Sequence, residues 1–224
     1  MYWIIHRCPN SCAKLTHNGV TLPARVFRLI FTLEDSDTMR FDEQKVTEAA
    51  AFLLELRGGC MHYIKLIKLL YIADRQAFSE WGNPISNDNY VSMDNGPVLS
   101  QTYNLIKDGG RFWSEYISAP FGDYEVELNS SLQSKRKLSP AEEDILNRVF
   151  TEYGHQNRWR IVDYMHTLPE WKDPGGSSTP ISIRDILQAL NESDENIQAI
   201  VSEINQERKI EEHIETAELV KPIF

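Results

Sequence analysis

The sequence predicts a mostly α-helical domain packed around one buried central helix, with a small β-hairpin or sheet element, an α+β class. Three observations predict it. Residues 61–81 are apolar on nearly every side, and a helix buried around most of its girth belongs at the centre of its domain. Several helix starts are written out as caps, most plainly Ser139-Pro140-Ala141-Glu142, a capping box with proline in the first helical position. Between the helices lie short runs at strand spacing, bounded by Gly, Pro and Asn.

The elements follow in order. Asp42 can cap a helix to about Arg57, with Val46, Ala49, Ala50, Leu53 and Leu56 at helical spacing, and Gly58-Gly59 ends it. The central helix runs from about Met61 to Trp81. Ile64, Ile67, Tyr71 and Phe78 line one flank, and Leu66, Leu70, Ala73 and Ala77 line another. A thin polar stripe remains, through Lys65, Lys68, Arg75, Gln76 and Ser79. Gly82-Asn83-Pro84 closes the helix, and Tyr90–Met93 reads as a short strand. Asn95-Gly96-Pro97 predicts a helix opening at Pro97 and running to Lys107, because proline there sacrifices no hydrogen bond. Phe112–Ile117 and Tyr124–Leu128, joined by Pro120-Phe121-Gly122-Asp123, predict a β-hairpin. The capped helix at Ser139 carries Ile145, Leu146, Val149 and Phe150 and ends near Gly154. Another spans about Asn157 to Thr167, and Pro169-Glu170-Trp171 stops it. Ser182 begins a short helix with Ile183, Ile186, Leu187 and Leu190 as its core face.

Charge and periodicity divide the chain into three parts: an N-terminal extension over 1–38, a domain over 39–190 and an acidic helix and tail over 191–224. Residues 1–38 hold four Lys/Arg and three Asp/Glu and show no sustained period, so they are expected to be a flexible extension or sequence upstream of a true start at Met39. Residues 192–219 carry nine acidic and two basic side chains on what reads as one long helix. Its stripes, Ile197-Val201-Ile204 and Ile210-Ile214-Ala217, are separated by a six-residue step, which breaks a sustained coiled coil.

Composition narrows the function. The chain has 224 residues, 42% hydrophobic and 25% charged, with a formal charge of −10. No apolar run reaches the roughly 18 residues that span a bilayer, and His6, Arg7 and Pro9 interrupt the opening apolar stretch, unlike a signal peptide. Three cysteines give no disulfide framework, so a reducing cytoplasm is the expected setting. The acidic balance opposes non-specific nucleic-acid binding, where cations must displace the counterions of the phosphate backbone, and suits a basic partner better.

Motifs for chemistry are sparse. No nucleotide-binding glycine loop, HExxH or GxSxG is present, and no cofactor is implied. Asp163-x-x-His166 puts a carboxylate and an imidazole on one helix face, the arrangement of a metal site or an oriented base; a helix surface or a satisfied polar pair is the simpler reading. Cys60-x-His62 opens the most apolar helix, where a cysteine is usually a small buried hydrophobe, although a helix N-terminus would lower its pKa. Cys8 and Cys12 with His6 and His17 match no strong zinc spacing. Lys65 and Lys68 read either as a solvated strip with packed stems or as the floor of a groove that meets a partner.

Five stretches together carry a resemblance: Lys65-Leu66-Ile67-Lys68-Leu69-Leu70-Tyr71, Asn95-Gly96-Pro97-Val98, Leu138-Ser139-Pro140-Ala141-Glu142-Glu143, His166-Thr167-Leu168-Pro169-Glu170-Trp171, and Pro180-Ile181-Ser182. In this order, over about 42–190, they resemble the Panacea domain of SocA-like bacterial antitoxins. That resemblance implies a non-enzymatic antitoxin that neutralises a cognate protein toxin, encoded by an adjacent gene, through direct contact. Related domains occur in phage-associated proteins, so a phage-associated nucleic-acid-binding regulator is the alternative, followed by a metal-dependent enzyme using Asp163 and His166. The residues expected to meet the partner are Lys65, Lys68, Tyr71 and Arg75 on the central helix, and His166 and Trp171 in the His-to-Trp element.

Overall fold

A computed structural model of the chain describes residues 4–6, 14–17, 20–22, 41–122, 124–130 and 137–219. The chain divides into two compact units, Met1–Thr38 and Met39–Phe224. In the first, β1 (Ile4–His6), β2 (Lys14–His17) and β3 (Val20–Leu22) form an antiparallel sheet, with Ile5 opposite Leu15 and Thr16 opposite Thr21. Cys8 and Cys12 lie outside the described residues.

The second unit is assembled around its central helix. First comes α1 (Glu43–Arg57), capped where Asp42 accepts from the Lys45 N–H and ended by Gly58 in the left-handed conformation. Its buried face, Val46, Ala49, Ala50, Leu53 and Leu54, belongs to the single large core cluster. The chain then makes a three-residue strand, β4 (Cys60–His62), before α2 (Tyr63–Trp81) begins. The helix therefore starts two residues later than its pattern predicts, because His62 is drawn into a sheet and its Nδ1 accepts from the Ile64 N–H. Leu66, Ile67, Leu69, Leu70, Tyr71, Ile72, Ala73, Ala77 and Phe78 are all buried, so α2 is the central helix.

β5 (Tyr90–Met93) and β6 (Gly96–Leu99) pair with Val91 opposite Val98, and β8 (Thr179–Ile181) joins the other edge of β5. The predicted helix start at Pro97 is thus corrected: α3 runs Ser100–Asp108. Pro97 sits in an edge strand, where its missing N–H breaks no interior ladder. The cap that starts α3 comes from Asp88, whose carboxylate accepts from the N–H groups of Gln101 (2.8 Å) and Thr102 (2.7 Å) and from the Thr102 hydroxyl (2.7 Å).

The predicted hairpin is also corrected. Residues 113–116 form a short helix, α4 (Trp113–Tyr116), and β7 (Glu125–Glu127) pairs with β4, with His62 opposite Glu125; an isolated bridge from Ile117 to Leu128 joins the expected strands, and Phe121 bridges Glu125 from within the expected turn. Glu43 decides the matter. Its Oε1 accepts from the Phe112 and Trp113 N–H groups at 2.7 and 3.1 Å, which turns that backbone into a helix start and seats Trp113 in the core.

The remaining helices follow their caps. α5 (Pro140–Tyr153) has the Ser139/Glu142 capping box, α6 (Arg158–Met165) is capped by Asn157, and α7 (Ile183–Ala189) has a Ser182/Asp185 box. α8 (Asp194–Leu219) sends Ile197 and Ile204 into the core beside α7. Among the described residues no helix is long and apolar enough to cross a membrane.

Candidate partner-binding face

The lysine end of the polar stripe of α2 is not open, whereas Ser79 at its far end is exposed. Lys65 is 6% exposed and Lys68 1%. Lys65 Nζ donates to the Gly154 and Gln156 carbonyls, satisfying acceptors that the end of α5 leaves over. Lys68 Nζ donates to the Pro97 carbonyl at 2.7 Å, tying α2 to β6. Among the described residues Lys68 forms no ion pair, and burial pushes its ammonium down to about 7. Burial, and then the nearby Arg57, push Lys65 in the same direction.

The other expected contact residues form two separate fastenings. The Tyr71 hydroxyl and Arg75 Nε both donate to Glu170 Oε1, at 3.0 and 2.8 Å, within a buried cluster. Burial and the neighbouring Glu170 carboxylate push the Tyr71 phenol well above its usual range. Trp171 Nε1 donates to the Met93 carbonyl at 3.0 Å, His166 Nε2 lies 2.9 Å from the Asp94 carbonyl, and the two rings sit 4.3 Å apart. The His-to-Trp element is therefore a clamp on the turn between β5 and β6. No hydrogen bond or ion pair among the described residues joins Asp163, which is exposed, to His166.

Two buried carboxylates escape a reading by motif. Asp74 accepts from the Ile85 and Ser86 N–H groups and from the Ser86 and Tyr90 hydroxyls. Burial nevertheless pushes its carboxyl up to about 6, against the pull of those donors. Asp88, the distant cap of α3, is the second. An acid on a helix buried all round must find donors, so Asp74 was signalled by its position; Asp88 was not. Cys60 Sγ lies 3.4 Å from Glu125 Oε2, and burial followed by that carboxylate pushes the thiol up, opposite to the shift a helix N-terminus would produce.

The open surface lies at the N-terminal end of α2. Tyr63 packs against Tyr103 and Tyr124, with ring centroids 6.3 and 6.1 Å away, and stacks on His62 at 5.4 Å. Tyr124 is 64% exposed and Phe121, nearby on the same loop, 48%. Tyr124 also holds φ +66, a left-handed conformation that costs a non-glycine residue about 1–2 kcal/mol. The Tyr63 N–H donates to its carbonyl at 3.0 Å, fastening the loop to the helix start. Recesses flank this ridge. One, about 170 Å³, is lined by Tyr63, Tyr103, Asp94, Asn95 and, at its base, Lys68. The other, about 200 Å³, is lined by Arg57, His62, Lys65, Glu125 and Arg158.

Residues 66–172 match the family described as Antitoxin SocA-like, Panacea domain. This stretch is similar to the SocA-like Panacea domain. No curated protein and no solved structure matches the chain. The match to the Panacea family opens in the first turns of α2 and closes one residue after Trp171, so it contains both fastenings and the β5–β6 turn between them. Lys68, Tyr71, Arg75, His166 and Trp171 lie inside it and Lys65 just outside. Within the matched segment these side chains hold α2, the β5–β6 turn and the His-to-Trp element together, and on that frame Tyr124 is exposed and Tyr103 half-buried.

Proposed function

We propose that the chain is an antitoxin that neutralises a protein toxin by direct contact, without catalysis, and that the ridge of Tyr63, Tyr103 and Tyr124 anchors the complex. One observation carries this reading: three tyrosines from separate parts of the chain meet at Tyr63, with Tyr124 exposed and Tyr63 and Tyr103 half-buried, between two recesses. Aromatic anchors beside pockets are where interface energy concentrates, since they bury large area and lose little conformational freedom. The backbone strain at Tyr124 fits a residue placed for contact rather than for folding. The family's antitoxin description supports the class, and the charge of −10 suits a basic toxin surface. In this reading Lys68, Tyr71, Arg75, His166 and Trp171 act indirectly, by holding the ridge's support rigid, and Lys65 does the same by tying α2 to the carbonyls past the end of α5.

Co-expression with the product of the adjacent gene tests it. Growth should be restored and the two proteins should co-purify at a fixed ratio. Rescue without a complex would discard the direct-contact mechanism.

A further inference from the structure

The recess beside Cys60 has a charge opposite to that of the chain. Arg57, Lys65 and Arg158 line it with His62, and Glu125 is the one carboxylate among its lining residues. The chain as a whole carries −10, so three cations around one small hollow are a local inversion. Among the described residues neither Arg57 nor Arg158 forms an ion pair. Arg158 Nε is buried without a hydrogen-bond partner, while its guanidinium lies 5.3 Å from the centre of the Trp159 ring. Lys65 has two carbonyl acceptors for three ammonium protons. A buried donor with no acceptor is costly unless something supplies one.

We propose that this recess binds a phosphate-bearing group. Three cations facing one carboxylate leave two positive charges. A phosphate carries about −1.5 to −2 at neutral pH and cancels them, whereas a single carboxylate does not. Arginine's planar fork suits phosphate oxygens, and Lys65 acts beside it as a point charge. The first turn of α6, capped by Asn157, opens beside Arg158, so its dipole adds to the same field. At about 200 Å³ the hollow holds several groups of water size, each of about 30 Å³, which is room for a phosphate and part of what it is attached to. One oxygen of Glu125, Oε2, accepts from the Cys60 thiol at 3.4 Å at the edge of the same recess. The inference stands apart from the toxin reading, because it uses only the charges and unfilled donors of this hollow.

The test is calorimetric titration of the full chain at pH 7 and fixed ionic strength, with inorganic phosphate, O-phosphoserine and acetate as probes. Phosphate should bind saturably at one site and acetate at least tenfold more weakly. Arg158→Gln should weaken phosphate at least tenfold with an unchanged thermal melt, and the exposed Arg57→Gln should weaken it severalfold, a second reading should the first variant fold poorly. Tighter binding of O-phosphoserine assigns the site to phosphate monoesters; equal binding assigns it to the free ion. Phosphate heats no different from those of acetate, or wild-type affinity in a folded Arg158→Gln, would overturn the proposal.

Discussion

Replacing Gly96 with alanine should be among the most damaging single-methyl changes in this chain. Gly96 holds φ +94, and a Cβ added there would lie 2.6 Å from Met165 Cβ and 3.4 Å from its Cγ. Carbon atoms pack at about 3.5–4.0 Å, so the two chains would have to part by about 1 Å. Met165 cannot turn away, because its Cβ is fixed by the backbone of α6 and the residue is fully buried. Left-handed backbone costs alanine roughly 1–2 kcal/mol and overpacking a further 1–3 kcal/mol, together about 2–5 kcal/mol. At roughly 2–4 °C per kcal/mol for a chain of this size, the melting temperature should fall by about 4–20 °C. Gly175→Ala is the control: Gly175 has φ +61 with nothing within 4 Å of the added Cβ, so only the backbone cost applies. Urea and thermal melts of both variants decide the matter. A Gly96→Ala protein no less stable than Gly175→Ala would refute the close approach of β6 to α6.

Three further perturbations probe the frame. Asp88→Ala removes the carboxylate that caps α3 from a distance and strands the buried Thr102 hydroxyl; a loss of about 2–4 kcal/mol in a urea melt is expected. Trp171→Phe keeps the ring against His166 but deletes the bond to the Met93 carbonyl, for about 1 kcal/mol, with loosened amide protection at the β5–β6 turn as the second readout. Lys68 supplies a pH dependence. Its folded pKa of about 7 lies below the usual 10.5, so between those values the unfolded chain binds the extra proton and stability rises with pH. Between pH 7.5 and 9.5 the wild type should gain on Lys68→Met by about 1 kcal/mol per pH unit; parallel stability curves would show that the ammonium is not desolvated.

What could be read from the sequence was local. The capping box at Ser139, the Asp42 cap, the helix starts near Asn157 and at Ser182 and the girth of α2 each depend on residues within a few positions of one another, and those elements formed as patterned. What could not be read was decided at a distance. α3 starts at Ser100 rather than Pro97 because its cap is Asp88, outside any local motif. β4 and β7 are three residues each and about sixty residues apart, too short to show a period. The lysines of α2 look like a solvated stripe because nothing near them announces that Pro97, Gly154 and Gln156 will deliver carbonyls. The tyrosine ridge draws on the start of α2, on α3 and on the loop before β7, so no single stretch could display it.

The central claim is that the toxin is held by direct contact at that ridge. Its most direct measurement is the dissociation constant of the purified pair for the wild type and for a Tyr103→Ala, Tyr124→Ala double variant shown by circular dichroism to fold. Truncating anchors at the heart of an interface costs at least about 2 kcal/mol, a factor of roughly 30 in affinity. The double variant should bind at least that much more weakly and should fail to restore growth on co-expression. A folded double variant that binds the toxin as tightly as the wild type would contradict the account.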